Sequence, residues 1–414
     1  MSRFASLRGF DRGVWVVAIA RFVNVLGSGM VYPFATLYFY REVGIPFTLV
    51  GTGLFANSLG LATGTLVGGF LADRYGRRPV MVASMALAAP SLAAYALVTT
   101  AVEFTVVAAI AGLVLGLFAP ASQAMVADLS TDAQRERAYA LLKVASNAGF
   151  GSGFVLGGVI YGVTRTGVFV ANGATSAVVA VVLLALLPRS PAADRIETGV
   201  ASLRETLAAW GRSVTHPTIL GLAALNVGFA VMYAQMNSTI PVHTEAAFGL
   251  TSEQLGTLFV INPLVIVVFQ LPIVSRISAW RRTRGLLVSV GFWALSFVAV
   301  ALSNAAPWAL GVALVGAFLV LRTLGEILHA PLVTSLASDV GPAAERGTKL
   351  SVIEVAKRLG FGIGPVVGGL FFDYGVDHLL WPALVVLSLG IGAGVVALER
   401  RITPGQNGVG VAAE

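Results

Sequence analysis

Three ionisable residues lie close together within one strongly apolar stretch in the second half of the sequence. Arg322, Glu326 and His329 follow the spacing i, i+4 and i+7, so a helix presents all three on one face. A charged side chain near the middle of a bilayer costs about 2.5–3.5 kcal/mol on the insertion scale, so such residues are candidates for function. An arginine does not lose its proton in practice, whereas a glutamate can exchange one. We therefore predict that Glu326 carries a coupling proton.

The charge state of Glu326 depends on whether Arg322 stays beside it. Pairing with the cation favours the carboxylate, and separation in a dry site favours the acid. A permanent Arg322–Glu326 ion pair with a purely structural role is the alternative. His329 is the second candidate for the coupling proton, although a lone helix histidine is more often held by an ordinary hydrogen bond than used as a relay.

Rows of polar side chains also recur on single faces of two other apolar stretches, one near the N-terminus and one just past the middle. Lipid does not tolerate such rows, so they face a wet cavity or each other. Interhelical hydrogen bonding explains part of them. Arg21 must either pair with a carboxylate or bind an anionic group of a substrate. The residues predicted to line the cavity are Arg21, Asn24, Tyr32, Asn226, Tyr233, Asn237 and Arg322.

The elements that carry these residues are long enough to span a membrane. The sequence is 57% hydrophobic and only 11% charged, whereas a soluble domain contains about 25% charged residues. An apolar helix of about 20 residues crosses the hydrocarbon core. Twelve such stretches are predicted, at 14–40, 47–71, 79–100, 104–126, 139–163, 167–187, 217–241, 253–274, 285–304, 308–337, 350–372 and 379–398.

Positive charge is concentrated in alternate loops. With the N-terminus in the cytoplasm, the external loops hold Arg41 and Arg165 as their basic residues, and the internal loops hold most of the others. This pattern predicts that both termini are cytoplasmic. The net charge of +7 then needs no nucleic-acid partner, because the basic residues sit in short loops between spans.

The two halves of the chain are related by a duplication. At an offset of 211 residues, Pro120 matches Pro331 and Asp128 matches Asp339. Between the halves, apolar residues at helical spacing in 188–216 predict an amphipathic helix at the cytoplasmic interface. The predicted organisation is an N-terminal six-helix bundle (1–188), a linker (189–216) and a C-terminal six-helix bundle (217–414).

Chemistry other than transport lacks the residues that it would need. The sequence contains no cysteine, and it shows no nucleotide-binding loop, metal-ligand cluster or nucleophile–base arrangement. We therefore expect no enzymatic activity, no metal and no cofactor. Internal repeats with a binding site at their interface are typical of secondary transporters, so we predict an all-α membrane transporter of a small molecule.

A short loop between the second and third apolar stretches carries a recognisable motif. The run GFLADRYGRRP from Gly69 to Pro79 resembles the loop signature of the major facilitator superfamily. The resemblance implies two pseudo-symmetric six-helix bundles with a substrate cavity between them. It also implies that Asp73, Arg77 and Asp128 form a conformational latch, for which a simple topology anchor is the alternative. The second half lacks the signature, so the latch should be asymmetric.

A second resemblance bears on function. Gly325-Glu326 followed by Pro331 resembles the drug–proton antiporter branch of that superfamily, whereas Phe154 stands where the branch's span-five motif has proline. The resemblance implies proton-coupled export of hydrophobic or amphiphilic compounds, as in multidrug efflux, by a monomer in a prokaryotic cytoplasmic membrane. Its partners are then the substrate, protons and the lipid bilayer. An uncoupled exporter of a sugar, lipid or metabolite is one alternative, and a non-pumping sensor or lipid-handling protein is another.

Overall fold

The computed structural model describes residues 10–188, 216–277, 280–340 and 346–409. Every regular element within these residues is a helix, which confirms the predicted all-α class. Twelve helical spans in this part of the chain are long and apolar enough to cross a membrane, as the hydropathy pattern predicts. The stretch with the predicted amphipathic helix lies outside the described residues apart from its two end positions. The spans are α1 (Arg12–Glu42), α2 (Phe47–Tyr75), α3 (Arg77–Leu97), α4 (Ala101–Asp128), α5 (Gln134–Val163), α6 (Gly167–Leu186), α7 (Pro217–Phe248), α8 (Ser252–Ile277), α9 (Arg282–Ser303), α10 (Trp308–Asp339), α11 (Arg346–Asp373) and α12 (Asp377–Glu399).

Some helices begin before the apolar stretches that predict them, because polar residues cap their first turns. α4 begins at Ala101 with a capping box between Thr100 and Glu103. α8 begins with a capping box between Thr251 and Gln254. Each box satisfies backbone N–H groups that the helix leaves without a partner. Hydropathy does not register these polar turns, so the predicted starts are late by three residues for α4 and by one for α8.

Two spans are interrupted shortly before a proline. α4 breaks at Leu117, ahead of Pro120, and α8 breaks at Val260, ahead of Pro263. A proline inside a helix removes one hydrogen bond, and its ring clashes with the carbonyl group four residues earlier. The break in α8 lies two residues before Asn262, a side chain that contacts Glu326.

The chain divides into two compact units. Helices α1 and α3–α6 belong to unit 1, helices α7 and α9–α12 belong to unit 2, and α2 and α8 are each divided between them. The sequence-based boundaries at 188 and 217 stay a prediction, because the linker between them lies outside the described residues. Unit 1 comprises Met1–Ile45, Ala56–Thr198 and Thr251–Val260, and unit 2 comprises Pro46–Phe55, Gly199–Leu250 and Ile261–Glu414.

The same close helix packing occurs in both units. In unit 1, a Cβ atom at Gly149 of α5 would collide with the carbonyl oxygen of Phe22 in α1; in unit 2, one at Gly360 of α11 would collide with that of Val227 in α7. Small residues allow such close backbone approach. The two glycines differ by 211 positions and the two carbonyl residues by 205. Positions of α1 and α7 that differ by 205 are therefore equivalent. A second set of contacts repeats this relation, namely Gly153 on Leu26 and Gly364 on Val231.

Candidate functional site

A buried ion pair lies in the middle of α10 in unit 2. Arg322 Nη1 is 2.9 Å from Glu326 Oε2, and the two side chains are 5% and 28% exposed. The guanidinium carbon of Arg322 also lies 5.0 Å from the ring centre of Tyr233 and 5.4 Å from that of Trp293. A carboxylate and two aromatic faces compensate the charge of the arginine and fix its position.

Among the described residues, only one oxygen of Glu326 has hydrogen-bond partners. Oε2 accepts the hydrogen bond of Arg322 and a longer one, 3.4 Å, from Asn262 Nδ2. Asn262 is itself held by a 2.8 Å hydrogen bond to Thr323 Oγ1. The other oxygen, Oε1, makes no hydrogen bond or ion pair with the described residues. The carboxylate therefore has one oxygen on the cation and one at which a proton can bind.

His329 lies in the same aromatic cluster, one helical turn beyond the ion pair. Its ring centre is 4.1 Å from that of Phe229 and 5.7 Å from that of Tyr233. Its Nε2 atom is buried and has no hydrogen-bond partner in the described part of the chain. The role of His329 in proton transfer stays a prediction.

Arg21 lies in α1 of unit 1, and its surroundings differ from those of Arg322. Its Nε atom donates a 3.0 Å hydrogen bond to Ser146 Oγ, which in turn donates one of 2.9 Å to the carbonyl oxygen of Leu142. No carboxylate of the described residues pairs with Arg21, and its two terminal nitrogens make no hydrogen bond there. The cation is thus positioned by a neutral hydroxyl group, and no described carboxylate compensates its charge.

The other predicted residues of the α1 face differ in their exposure. Asn24 is buried, and its Nδ2 atom lies 3.4 Å from Met85 Sδ. Tyr32 is exposed, and its ring centre is 5.7 Å from that of Phe150 in α5. The face therefore runs from a half-buried cation at Arg21 to the exposed ring of Tyr32.

On the equivalent face of α7, two predicted residues are enclosed by protein. Asn226 is 2% exposed and donates a 2.9 Å hydrogen bond to the carbonyl oxygen of Ile353. For this residue the structure shows interhelical hydrogen bonding, the alternative to lining a cavity. Tyr233 packs against Arg322 and Trp293. Asn237 has a buried Oδ1 atom without a partner among the described residues.

Sequence reasoning did not identify Trp293 or Ser146 as part of these sites. Trp293 is fully buried in α9, and a tryptophan in the middle of a span rather than at an interface was the available signal. Ser146 has no such signal, because serine is common in packed membrane helices. Among the described residues, no group of three or more His, Asp or Glu side chains could hold a metal ion.

The three predicted latch residues come together in unit 1. Arg77 Nε lies 3.1 Å from Asp128 Oδ2, and Arg77 Nη2 lies 3.5 Å from Asp73 Oδ1. Gly76 makes this arrangement possible, because its φ of 93° turns the chain directly into α3. The structure places the three side chains in one ion-pair network, and their role as a latch stays a prediction.

Unit 2 keeps one ion pair of this network although it lacks the motif. Arg282 Nη1 lies 2.6 Å from Asp339 Oδ2, and these residues follow Arg77 and Asp128 by 205 and 211 positions. The C-terminal segment takes part as well, since Asn407 Oδ1 accepts a 3.0 Å hydrogen bond from the backbone N–H of Thr283. The residue 205 positions after Asp73 is Ser278, so no carboxylate occupies that position in the second half.

Twelve membrane-length helices in the described part of the chain, with close packing that repeats in both halves, define a multi-pass integral membrane protein. A family model described as Major Facilitator Superfamily matches residues 17–365 and, in a second match, 236–410. The chain therefore belongs to the major facilitator superfamily, as the loop motif predicts.

Relatives and solved structures agree with this assignment. The chain is 28% identical to the uncharacterized MFS-type transporter YttB of Bacillus subtilis, covering 94% of this chain and 96% of the relative. It is 24% identical to the multidrug resistance protein MdtH of Aeromonas hydrophila, covering 92% and 93%. The crystal structure of the nucleoside transporter NupG has the same fold, with a TM-score of 0.78, 15% identity and coverage of 94% of this chain and 100% of NupG.

Proposed function

We propose that this transporter exports hydrophobic or amphiphilic small molecules in exchange for protons, by alternating access in a prokaryotic cytoplasmic membrane with both termini in the cytoplasm. The observation that carries the proposal is Glu326, a carboxylate within a membrane span that has one oxygen on Arg322 and one without a partner among the described residues. An exchanger needs a group that changes charge between its two access states, and neither Arg21 nor Arg322 can do so.

The surroundings of Arg322 indicate which side chain moves. The arginine is enclosed by Tyr233 and Trp293, whereas Glu326 is 28% exposed. Separation of the pair therefore requires the carboxylate to swing away while the cation stays. In the paired state the carboxylate is charged, and after separation in a dry site it takes up a proton.

Two further observations support export and conformational switching. The 24% identical relative MdtH is named for multidrug resistance, which export of hydrophobic compounds would provide. The network of Asp73, Arg77 and Asp128 supports a latch that stabilises one access state. A ligand or contact that favours one of two states shifts their populations in proportion to its differential affinity.

The test is substrate-induced proton release from purified protein, measured for the wild type, Glu326→Gln and a matched control. The probes are ethidium, N-phenyl-1-naphthylamine and 8-anilinonaphthalene-1-sulfonate, which are cationic, neutral and anionic. Glu354→Gln is the control, because Glu354 also pairs with an arginine at i+4, 3.3 Å away, but is exposed. We expect proton release from the wild type and the control, and none from Glu326→Gln.

Equal proton release from all three proteins would move the coupling site away from Glu326, with His329 the next candidate. Flux without proton release would favour the uncoupled exporter of a sugar, lipid or metabolite. Probe binding without flux in proteoliposomes that carry a proton gradient would favour the non-pumping sensor or lipid-handling protein.

A further inference from the structure

Arg21 lies within the first third of span α1, and no carboxylate of the described residues pairs with its charge. It is nine residues from the first residue of α1, or about 14 Å along the helix axis, in a hydrocarbon core of about 30 Å. Ion-pairing carboxylates are the usual partners of such cations within membranes. The partner of Arg21 within the described residues is the neutral hydroxyl group of Ser146.

The repeat shows that packing at this position needs no charge. Asn226 follows Arg21 by 205 residues and occupies the equivalent place on α7. Its amide donates directly to the carbonyl oxygen of Ile353, the residue equivalent to Leu142 at the 211 offset. In unit 1, the carbonyl oxygen of Leu142 accepts its hydrogen bond from Ser146. In unit 2 the neutral amide of Asn226 is sufficient to bridge the two helices. Helix packing therefore does not explain the positive charge of Arg21.

The geometry of Arg21 suits an oxyanion. Ser146 holds Nε, which leaves the terminal nitrogens Nη1 and Nη2 without a hydrogen-bond partner in the described chain. These two nitrogens form the fork that binds carboxylate, sulfonate or phosphate oxygens in parallel. A cationic or purely apolar group would leave this fork without an acceptor.

The same face also offers a place for an apolar moiety. Tyr32 lies eleven residues after Arg21, about 16 Å along α1, and its exposed ring packs edge-on against Phe150. An anionic head at Arg21 and an apolar body near these rings together describe an elongated amphiphile. Aromatic side chains provide large apolar contact area without fixing one ligand shape.

We infer that Arg21 binds the anionic head group of the transported amphiphile, which makes amphiphilic organic acids the preferred substrate class. This inference rests on the proposed export function. Export of an anion against an entering proton moves both charges in the direction that an inside-negative membrane potential favours.

Equilibrium binding in lipid nanodiscs, without any proton gradient, tests the inference. The probes are 8-anilinonaphthalene-1-sulfonate and N-phenyl-1-naphthylamine, which share their aromatic skeleton and differ in the sulfonate. Arg21→Asn copies the residue that the repeat carries at the equivalent position, and Arg21→Lys keeps the charge without the fork. Arg165→Asn is the matched control, because Arg165 is exposed and pairs with Glu42 at 3.1 Å.

We expect Arg21→Asn to weaken binding of the sulfonate about tenfold or more, with intermediate weakening in Arg21→Lys. Binding of the uncharged naphthylamine should stay within about twofold in every variant. Ser146→Ala should weaken sulfonate binding less than Arg21→Asn does, because it loosens the fork without removing it. Unchanged sulfonate affinity in Arg21→Asn, in protein that unfolds at the wild-type temperature, would overturn the inference.

Nanodiscs with increasing phosphatidylglycerol distinguish two sources of the same anionic chemistry. Loss of the Arg21-dependent sulfonate signal identifies a phospholipid head group as an occupant, and an unchanged signal identifies the free amphiphile. The variant Glu326→Gln should still bind the sulfonate. If the wild type releases no proton on binding the sulfonate, but sulfonate binding still depends on Arg21, then the proposed proton coupling is wrong and the inferred substrate class stands.

Discussion

The two units share one packing pattern but place their charges differently. In unit 1, α1 carries Arg21, a cation that no carboxylate of the described residues neutralises. In unit 2 the equivalent position is Asn226, and the charge lies instead on α10 as the closed pair of Arg322 and Glu326. The comparison teaches that duplication preserved the helix contacts while the chemistry diverged. We interpret unit 1 as the substrate side of the exchange and unit 2 as the proton side.

The largest expected effect comes from breaking the closed pair. Arg322→Ala should destabilise the purified protein by about 1–3 kcal/mol, because it leaves a partly buried carboxyl group without its hydrogen-bond donor. Removing both partners with Arg322→Met and Glu326→Met should recover most of that stability. Arg21→Asn is the control in unit 1, and it should change stability by less than about 0.5 kcal/mol. Reversible unfolding in denaturant measures all of these variants.

Arg21→Asn destabilising the protein as strongly as Arg322→Ala would contradict the comparison. It would mean that Arg21 is also a structural cation. Equal stability of Arg322→Ala and wild type would instead show that the ion pair is dispensable to the fold.

The next effect concerns the latch in unit 1. Asp73→Asn should lower transport about fivefold or more while leaving expression nearly unchanged, because an exposed ion pair contributes little to stability. Asp377→Asn is the control, because it makes the same chemical change in unit 2 at a residue that is not part of this network. Proteoliposome flux with protein quantified by immunoblot gives both values. Unchanged flux in Asp73→Asn would remove the latch from this mechanism.

The equivalent region of unit 2 should affect stability and leave transport unchanged. Asn407→Ala removes the hydrogen bond that a buried asparagine of the C-terminal segment accepts from Thr283. The expected result is a loss of about 1–2 kcal/mol of stability with flux per folded molecule unchanged. A flux defect as large as that of Asp73→Asn would show that this region of unit 2 has the same function as the ion-pair network of unit 1.

The smallest effect is a difference in accessibility between equivalent positions. The chain has no cysteine, so single substitutions can be labelled without background. Arg21→Cys should react with a water-soluble maleimide several-fold faster than Asn226→Cys, because Asn226 is only 2% exposed. Labelling of both positions at the same rate, together with normal transport by Arg21→Ala, would place Arg21 outside the substrate path.

Much of the fold could be predicted because long apolar helices depend mainly on composition. The twelve spans follow from the length of the apolar stretches, and the Arg322–Glu326 contact follows from the i, i+4 spacing along one helix. The first residues of the helices were harder to predict, since capping boxes such as that of Thr100 and Glu103 lie outside the apolar pattern. The contact of Trp293 with Arg322 could not be predicted, because it joins two helices whose rotation is set by packing.

The equivalence of Arg21 and Asn226 was also hidden from the sequence. The duplication is visible at the 211 offset, where glycines and prolines must be kept for packing. Between α1 and α7 the contacts repeated at the 205 offset are made by backbone carbonyl groups, as with Phe22 and Val227, so almost any side chain satisfies them. The relation therefore appears only when the helices are seen packed together.

One measurement tests the division of tasks between the units most directly. Proton release on adding 8-anilinonaphthalene-1-sulfonate is titrated for wild type, Arg21→Asn and Glu326→Gln, with probe binding followed in the same samples. We predict that Glu326→Gln binds the probe but releases no proton, and that Arg21→Asn releases protons only at about tenfold or higher probe concentrations. Proton release by Glu326→Gln at the wild-type level, or an unshifted titration for Arg21→Asn, would contradict this division.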